Sequence, residues 1–406
     1  METMEIEFIG QVDNYLAWKD YQRGGRCIRF IAVKKESLEF FANDDGVCTY
    51  TVDISYWELS LEIKKHVKYA LNDGGENNSW FYIKGEVGKR KNSGYFYKTF
   101  GRDEPEYFSL QQCKMITSPP IINKNIENER NTEFAVEVDI SSSLSFENYK
   151  TGNSRWDFYS FHVGQGMCSL ITNGKDGILL DVGAGKPILR GDYLKNDYGY
   201  IKNHLWDMLA ELNNVRVIIS HPDSDHWRML AWDVRISNKV SSIFIPHNTK
   251  KIIWKDITIN NKVTNVSGSI YFYGGDFELF VLRSFPSKKT DNTDCLVSLF
   301  KNHDGEKILQ SGDYVYSDMK NDLCPFIRHL SILSYDAVVV PHHGDAASAN
   351  AIFKPLGHSA KAFFSAGNHT GYGHPTKTSL DNHKAIGYNE ICDNTLTLIK
   401  SVKLSN

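Results

Sequence analysis

Two histidines and two aspartates fall within His221-Pro222-Asp223-Ser224-Asp225-His226, directly after Ser220 and the β-branched run Val215-Arg216-Val217-Ile218-Ile219. A strand that ends in such a loop gathers imidazoles and carboxylates at one point, which suits a divalent cation and has no use in packing. On an extended segment His221 and Asp223 point the same way while the adjacent Asp225 and His226 diverge, so one short loop can feed two neighbouring ions. Pro222 stiffens the loop.

Other chemistry-bearing pieces stand on either side. Upstream are Phe161-His162-Val163-Gly164-Gln165-Gly166 and Ile178-Leu179-Leu180-Asp181-Val182-Gly183. Downstream are Ile308-Leu309-Gln310-Ser311-Gly312-Asp313, Val338-Val339-Val340-Pro341-His342-His343-Gly344 and Gly371-Tyr372-Gly373-His374-Pro375. Asp313 and His343 each follow a short β-rich run, so a sheet would present them from neighbouring strand ends beside the His221 loop. In type and order these six segments, spanning about residues 156–400, resemble the motifs of the metallo-β-lactamase superfamily. The nearest likeness is to the hydrolase domain of competence proteins of the ComEC/Rec2 type and their soluble relatives. The superfamily's usual motif is H-x-H-x-D-H, and here Asp223 replaces the second histidine.

The resemblance implies an α+β fold of αββα type, two mixed β-sheets face to face with helices outside, and two divalent ions, Zn2+ or Mn2+. By that likeness His221 and Asp223 hold one ion, and Asp225, His226 and one histidine of the His342-His343 pair hold the other, with Asp313 bridging. His343 is the favoured ligand and His342 the favoured substrate-facing group. Asp181 would orient a ligand histidine by accepting its distal N–H. His374 would act on the leaving group or on phosphate oxygens. Two departures stand out. No histidine in a recognisable setting supplies a third ligand to the first ion: His247 and His303 are the candidates between the loop and Asp313, while Asp291-Asn292-Thr293-Asp294-Cys295-Leu296-Val297 is similar to the N-x-N-S-L-V stretch of the competence group. Asn, Asp or water would then complete that site, and a carboxylate-rich set favours Mn2+ or Mg2+. Trp227-Arg228-Met229-Leu230 also replaces the glycines that usually follow the motif, which alters the pocket wall.

These ligands need a scaffold, and 406 residues suffice for two domains with packed cores. We read residues 1–117 as a smaller α+β accessory domain, 118–155 as a polar linker and 156–406 as the hydrolase domain. Within the first, residues 38–41 and 48–54 read as a hairpin, 57–71 as a helix, and 80–83 with 95–100 as a second hairpin. Lys89, Arg90 and Lys91 beside Tyr95 and Tyr97 suggest a platform for single-stranded nucleic acid. The competing reading is an exposed hairpin whose charges deter aggregation.

A formal net charge of −3 gives no global sign of nucleic-acid binding. Seven scattered cysteines without a C-x-x-C pair read as reduced, buried thiols of a cytoplasmic protein. The acidic N-terminus has no apolar leader, and no stretch reaches the length of a membrane span, so neither a membrane nor the helices of full competence proteins are expected. The expected activity is a phosphodiesterase or nuclease acting on nucleic acid or nucleotide. The alternatives are a metallohydrolase of a small ester, thioester or lactam, and a non-catalytic binding or regulatory protein of the same fold.

Overall fold

A computed structural model describes residues 4–21, 25–38, 46–72, 79–88, 93–117, 155–195, 202–247, 249, 251–274, 277–367, 372–392 and 398–406. In its N-terminal part, apolar residues alternate with polar ones along six antiparallel strands: β1 (Met4–Trp18), β2 (Arg26–Lys34), β3 (Tyr50–Ser55), β4 (Trp80–Val87), β5 (Gly94–Lys98) and β6 (Glu106–Ile116). They close into a barrel in the order β1-β2-β3-β5-β6-β4. Period-2 alternation turns Phe8, Phe30, Val52, Phe81, Phe96 and Phe108 into one core, and the helix Leu61–Asn72 adds Ile63 and Val67 to it.

The expected hairpin between β4 and β5 does not form. β1 already occupies one edge of β4 and β3 one edge of β5, and β6 pairs with both remaining edges, which closes the barrel. The hairpin expected from residues 38–41 and 48–54 does not form either: β3 fills the second segment, and its two edges are taken by β2 and β5, while 39–45 and the linker over 118–154 lie outside the described residues.

The rest of the chain builds two larger sheets. Its strands are β7 (Asp157–His162), β8 (Cys168–Thr172), β9 (Asp176–Val182), β10 (Lys202–Asn203), β11 (Asn214–Ile218), β12 (Val240–Pro246), β13 (Val263–Val266), β14 (Ile270–Gly274), β15 (Phe277–Arg283), β16 (Leu296–Asn302) and β17 (Lys307–Gln310). There follow β18 (Ser334–Tyr335), β19 (Ala337–Val339), β20 (Lys354–Pro355), β21 (Lys361–Phe364), β22 (Asn389–Cys392) and β23 (Leu398–Lys403). One sheet runs β10-β23-β7-β8-β9-β11-β12-β13, the other β14-β15-β16-β17-β19-β21-β22, and β18 pairs with β20 apart from both.

Neighbouring residues on these strands divide between separate cores, as the pleat requires. Ile178 and Leu180 join Phe244, Leu279, Phe300, Ile308 and Val339 between the two sheets. Leu179 and Val217 face the other way, onto Leu205, Leu209, Trp232 and Ile236 from the helices His204–Ala210, Arg228–Trp232 and Val234–Lys239. Leu309 and Val338 likewise meet Tyr316, Met319, Ile327 and Leu330 from the helices Tyr316–Lys320 and Pro325–Leu330. Helices therefore flank both sheets, and β8 and β9 are buried on both faces. No helix among the described residues is long and apolar enough to cross a membrane. All seven cysteines carry free thiols. Cys48, Cys113 and Cys392 are half-buried, where burial was expected.

The barrel packs on the outer face of the first sheet, where Ile9, Ile31, Val33 and Trp80 share a core with Leu179 and Val217. Polar ties cross this contact: Thr49 donates from N and Oγ1 to Asp256 Oδ2 (2.7 and 2.6 Å), and Ile252 N donates to Gln11 Oε1 (2.8 Å). Buried Arg190 donates to the carbonyls of Thr99 (3.0 Å) and Gly101 (2.6 Å) and to Tyr21 Oη (3.0 Å). Its removal would strand buried acceptors, each worth about 1–3 kcal/mol when unsatisfied. We expect Arg190→Met to lower the free energy of unfolding by roughly 3 kcal/mol in denaturant titrations. Unchanged stability would mean that this guanidinium does not hold the barrel to the sheet.

Candidate metal centre

Parallel strands deliver the polar residues to one end of the sandwich. β9, β11, β12 and β13 run parallel in one sheet, and β17, β19, β21 and β22 in the other. Asp181 ends β9, the His221 loop follows β11, Asp313 follows β17, the two adjacent histidines follow β19 and Ser365 follows β21. Loops at these neighbouring C-terminal ends converge although their sequence positions are far apart. Gly183 makes that convergence possible, because a Cβ there would collide with the carbonyl oxygen of Asp225. That oxygen accepts instead from Met167 N at 3.0 Å, which pins the His221 loop to the residue that precedes β8.

Asp181 is buried, and its carboxylate accepts from Ser220 N (2.7 Å), Ser220 Oγ (2.9 Å), His226 Nδ1 (3.0 Å) and Gln310 Nε2 (3.3 Å). Because a carboxylate accepts, His226 Nδ1 carries the proton and Nε2 faces the site. His343 is fixed in the same sense, with Nδ1 donating to the Ser365 carbonyl at 2.8 Å. The Ser220 hydroxyl donates to Asp181 and so accepts from His221 Nδ1 at 3.1 Å. All three Nε2 atoms and Asp313 Oδ1 are buried without a hydrogen-bond partner. Four such orphans in one place would be costly in an empty polar pocket, and bound cations would satisfy them.

Two close groups emerge: His221, His226 and Asp313, and Asp225, His226 and His343. His226 Nε2 lies 3.2 Å from Asp313 Oδ1 and 4.0 Å from Asp225 Oδ1, while His343 Nε2 lies 3.4 Å from Asp225 Oδ2 and 3.6 Å from Asp313 Oδ1. These groups differ from the expected division in two respects. His226 reaches both groups, because Asp181 tilts its ring between them, and Asp223 belongs to neither. Asp223 stays near the edge, with Oδ2 3.6 Å from His221 Nε2 and its side chain 36% exposed.

His342 and His343 occupy left-handed backbone at φ 48° and 56°, as does Asp181 at 57°. Such conformations cost non-glycine residues roughly 1 kcal/mol or more each, so the surrounding hydrogen bonds must hold them. The turn sends His343 inward, and His342 outward and 33% exposed, with Nδ1 3.1 Å from Asp345 Oδ2 and Nε2 3.6 Å from Asp313 Oδ2. His374 sits beside it, the two rings 5.8 Å apart, with Nδ1 3.5 Å from Gln165 Nε2.

The carboxylates and imidazoles shift one another strongly. Burial alone would lower His226, yet Asp181 and Asp313 hold it well above the usual imidazole range. Burial would raise Asp225, and the imidazoles of His343 and His226 beside it hold it well below. Burial opposes the charge on His342 too, but Asp313 and Asp345 push it up to about 9. Burial and the charges of His343 and His342 push His374 down to about 4.

Several participants carried no signal in the sequence. Ser220 and Gln310 orient the histidines through Asp181, and Asp345, three residues past His342, anchors it. Lys251 Nζ lies 3.0 Å from Asp291 Oδ2, and despite burial the charges of Asp291, Asp223 and Asp13 push it up to about 12. Asp291 is thus engaged by a lysine, and Asp294 is held by Arg283. His303 sits at the opposite end of the sheet, in the turn from β16 to β17, beside Asp304. His247 follows β12 and belongs to neither close group. Tyr95 and Tyr97 cannot serve as stacking faces: they are 0% and 3% exposed, and their hydroxyls donate to Asp53 and Asp20 at 2.7 Å. Lys89, Arg90 and Lys91 lie outside the described residues.

No family model and no curated protein matches the sequence. Among solved structures, the chain is similar to the metallo-β-lactamase fold protein YhfI from Bacillus subtilis, with 13% identity over 61% of this chain and 99% of that one and a TM-score of 0.37. It is also similar to a CmlA β-hydroxylase mutant (11% identity, 87% and 73% covered, TM-score 0.37) and to a metallo-β-lactamase from Cronobacter sakazakii (13%, 44% and 76%, 0.27). These are distant likenesses.

Asp181 sets both the tautomer and the tilt of His226, and loss of such a partner typically weakens metal binding about 10–100-fold. We expect Asp181→Asn to reduce Zn2+ or Mn2+ affinity on that scale in chelator competition, with circular dichroism unchanged. Asp223→Ala, outside both close groups, should cost less. The reverse order would place Asp223 among the principal ligands.

Proposed function

We propose that this chain is a metal-dependent hydrolase of metallo-β-lactamase type that cleaves phosphodiesters of nucleic acids or nucleotides. The observation that carries the reading is the set of four partnerless buried atoms, His221 Nε2, His226 Nε2, His343 Nε2 and Asp313 Oδ1, converging beside Asp225. Those residues would hold up to two Zn2+ or Mn2+ ions, with Asp223 at the rim. When bound, such ions make water acidic enough to ionise near neutral pH and draw charge from a phosphoryl or acyl oxygen.

The protein's own groups do the rest. Asp225 and Asp313 offer acceptor oxygens that orient the attacking water and take up its proton. His342, tethered at Nδ1 by Asp345, keeps Nε2 toward the site and donates to a substrate oxygen. His374, next to it and to Gln165, faces the departing oxygen. Arg228, which lines the cleft with Asp225, brings positive charge beside the site, which favours an anionic phosphodiester over a neutral ester.

Metal-loaded protein should therefore hydrolyse bis-p-nitrophenyl phosphate and labelled DNA or RNA in preference to nitrocefin and thioesters. Turnover of only the latter pair would redirect the assignment to acyl substrates. Asp225→Ala should abolish hydrolysis in folded protein, whereas wild-type rates would remove Asp225 from the chemistry. His374→Ala should lower kcat by about 10²-fold with metal content unchanged. Loss of a metal equivalent in that variant would make His374 a ligand instead.

A further inference from the structure

Asp225 lines a cleft that runs away from the metal centre, between the barrel and the first sheet. One wall is barrel, with Asn14, Ala17 and Trp18 from β1 and its end; the other comprises Gln165, Gly185, Lys186, Arg228 and Tyr372. Asn14 Nδ2 donates to Tyr372 Oη at 3.3 Å, so the barrel also holds the segment that carries His374.

The cations in this cleft are unequally paired. Arg29 is neutralised by Asp20 and Asp53, at 2.8 and 2.6 Å. Lys186 has no such partner: its ammonium lies 3.0 Å from the centroid of the Trp18 ring, and the Arg26 guanidinium lies 4.0 Å from the same ring. Among the described residues no carboxylate forms an ion pair with either cation. Burial and the adjacent Arg26 both disfavour the charge on Lys186. Arg228 is aimed by the Ala184 carbonyl (3.3 Å) and the Ser224 hydroxyl (2.6 Å), and its nearest carboxylate, Asp13, stands 4.0 Å away. An indole face steadies a cation while leaving its charge available. Lys186, which has no ion-pair partner among the described residues, and Arg228, whose Asp13 partner stands at 4.0 Å, make a receptor for an anion beside a candidate metal ligand.

We propose that this cleft is a subsite for a second phosphate of the substrate, one nucleotide along from the scissile diester, with Lys186 and Arg228 as its charge and Trp18 as the support for Lys186. This assignment rests on the phosphodiesterase reading for its scissile group. The barrel then selects the substrate by forming one wall of the active site.

The test compares bis-p-nitrophenyl phosphate, TpT and the 5′-phosphorylated pTpT as substrates of the full Mn2+-loaded chain and of its Lys186→Met variant. We expect the native chain to prefer pTpT over TpT at least tenfold in kcat/KM, through KM. Lys186→Met should remove that preference with kcat little moved, and Lys186→Arg should restore it, which a purely structural lysine would not do. Calorimetric titration of pTpT into the metal-free chain gives a readout independent of turnover, with binding expected to weaken at least tenfold in Lys186→Met. A chain that hydrolyses none of the three yet binds pTpT with this dependence loses the hydrolase reading and keeps the subsite. Equal use of TpT and pTpT, or pTpT binding indifferent to Lys186→Met, overturns the subsite.

Discussion

Buried at the end of β9, the Asp181 carboxylate accepts hydrogen bonds from the Ser220 backbone and hydroxyl, from His226 and from Gln310. These donors come from the loop after β11 and from β17, so one carboxylate links the ends of three strands in two sheets. A buried carboxylate is tolerable only when its acceptor sites are filled, and filling them fixes the rings around it. His226 turns Nε2 inward because Nδ1 is spoken for, and His221 does the same through Ser220. Any movement of β9 against β11 would therefore be felt at the candidate metal ligands.

Backbone geometry works with this carboxylate. The bare Cα of Gly183 lets the Asp225 carbonyl approach, and the left-handed turn at His342 and His343 sends two adjacent side chains to different duties. His343 goes to the orphaned cluster and His342 to the mouth. Site residues held in sparsely populated conformations are a recurrent feature of function, and they persist because the surrounding packing over-determines them.

The barrel has a larger part than its separateness in sequence suggests. Its outer face shares a core with the first sheet, Arg190 reaches across to the carbonyls of residues 99 and 101, and β1 lines the cleft that starts at Asp225. The tyrosines that look like a stacking surface in sequence instead close the buried network around Arg29, Asp20 and Asp53. A guanidinium without those partners would be prohibitively costly in that position.

The sequence by itself determined the types and order of the candidate ligands, because each motif is local: a β-branched run sets a strand, and the polar residues after it must sit at that strand's end. The His221 loop, Asp313, the adjacent histidines and Asp181 are thus legible as site candidates in the sequence alone. Only the tertiary structure decided how these candidates group. His226 serves both close groups and Asp223 neither, because that depends on distances between strands remote in sequence. The same holds for barrel closure, where β6 intervenes between β4 and β5, and for the burial of Tyr95 and Tyr97. Alternation says which faces are apolar but not which edge meets which, and that choice is settled by burying many faces at once.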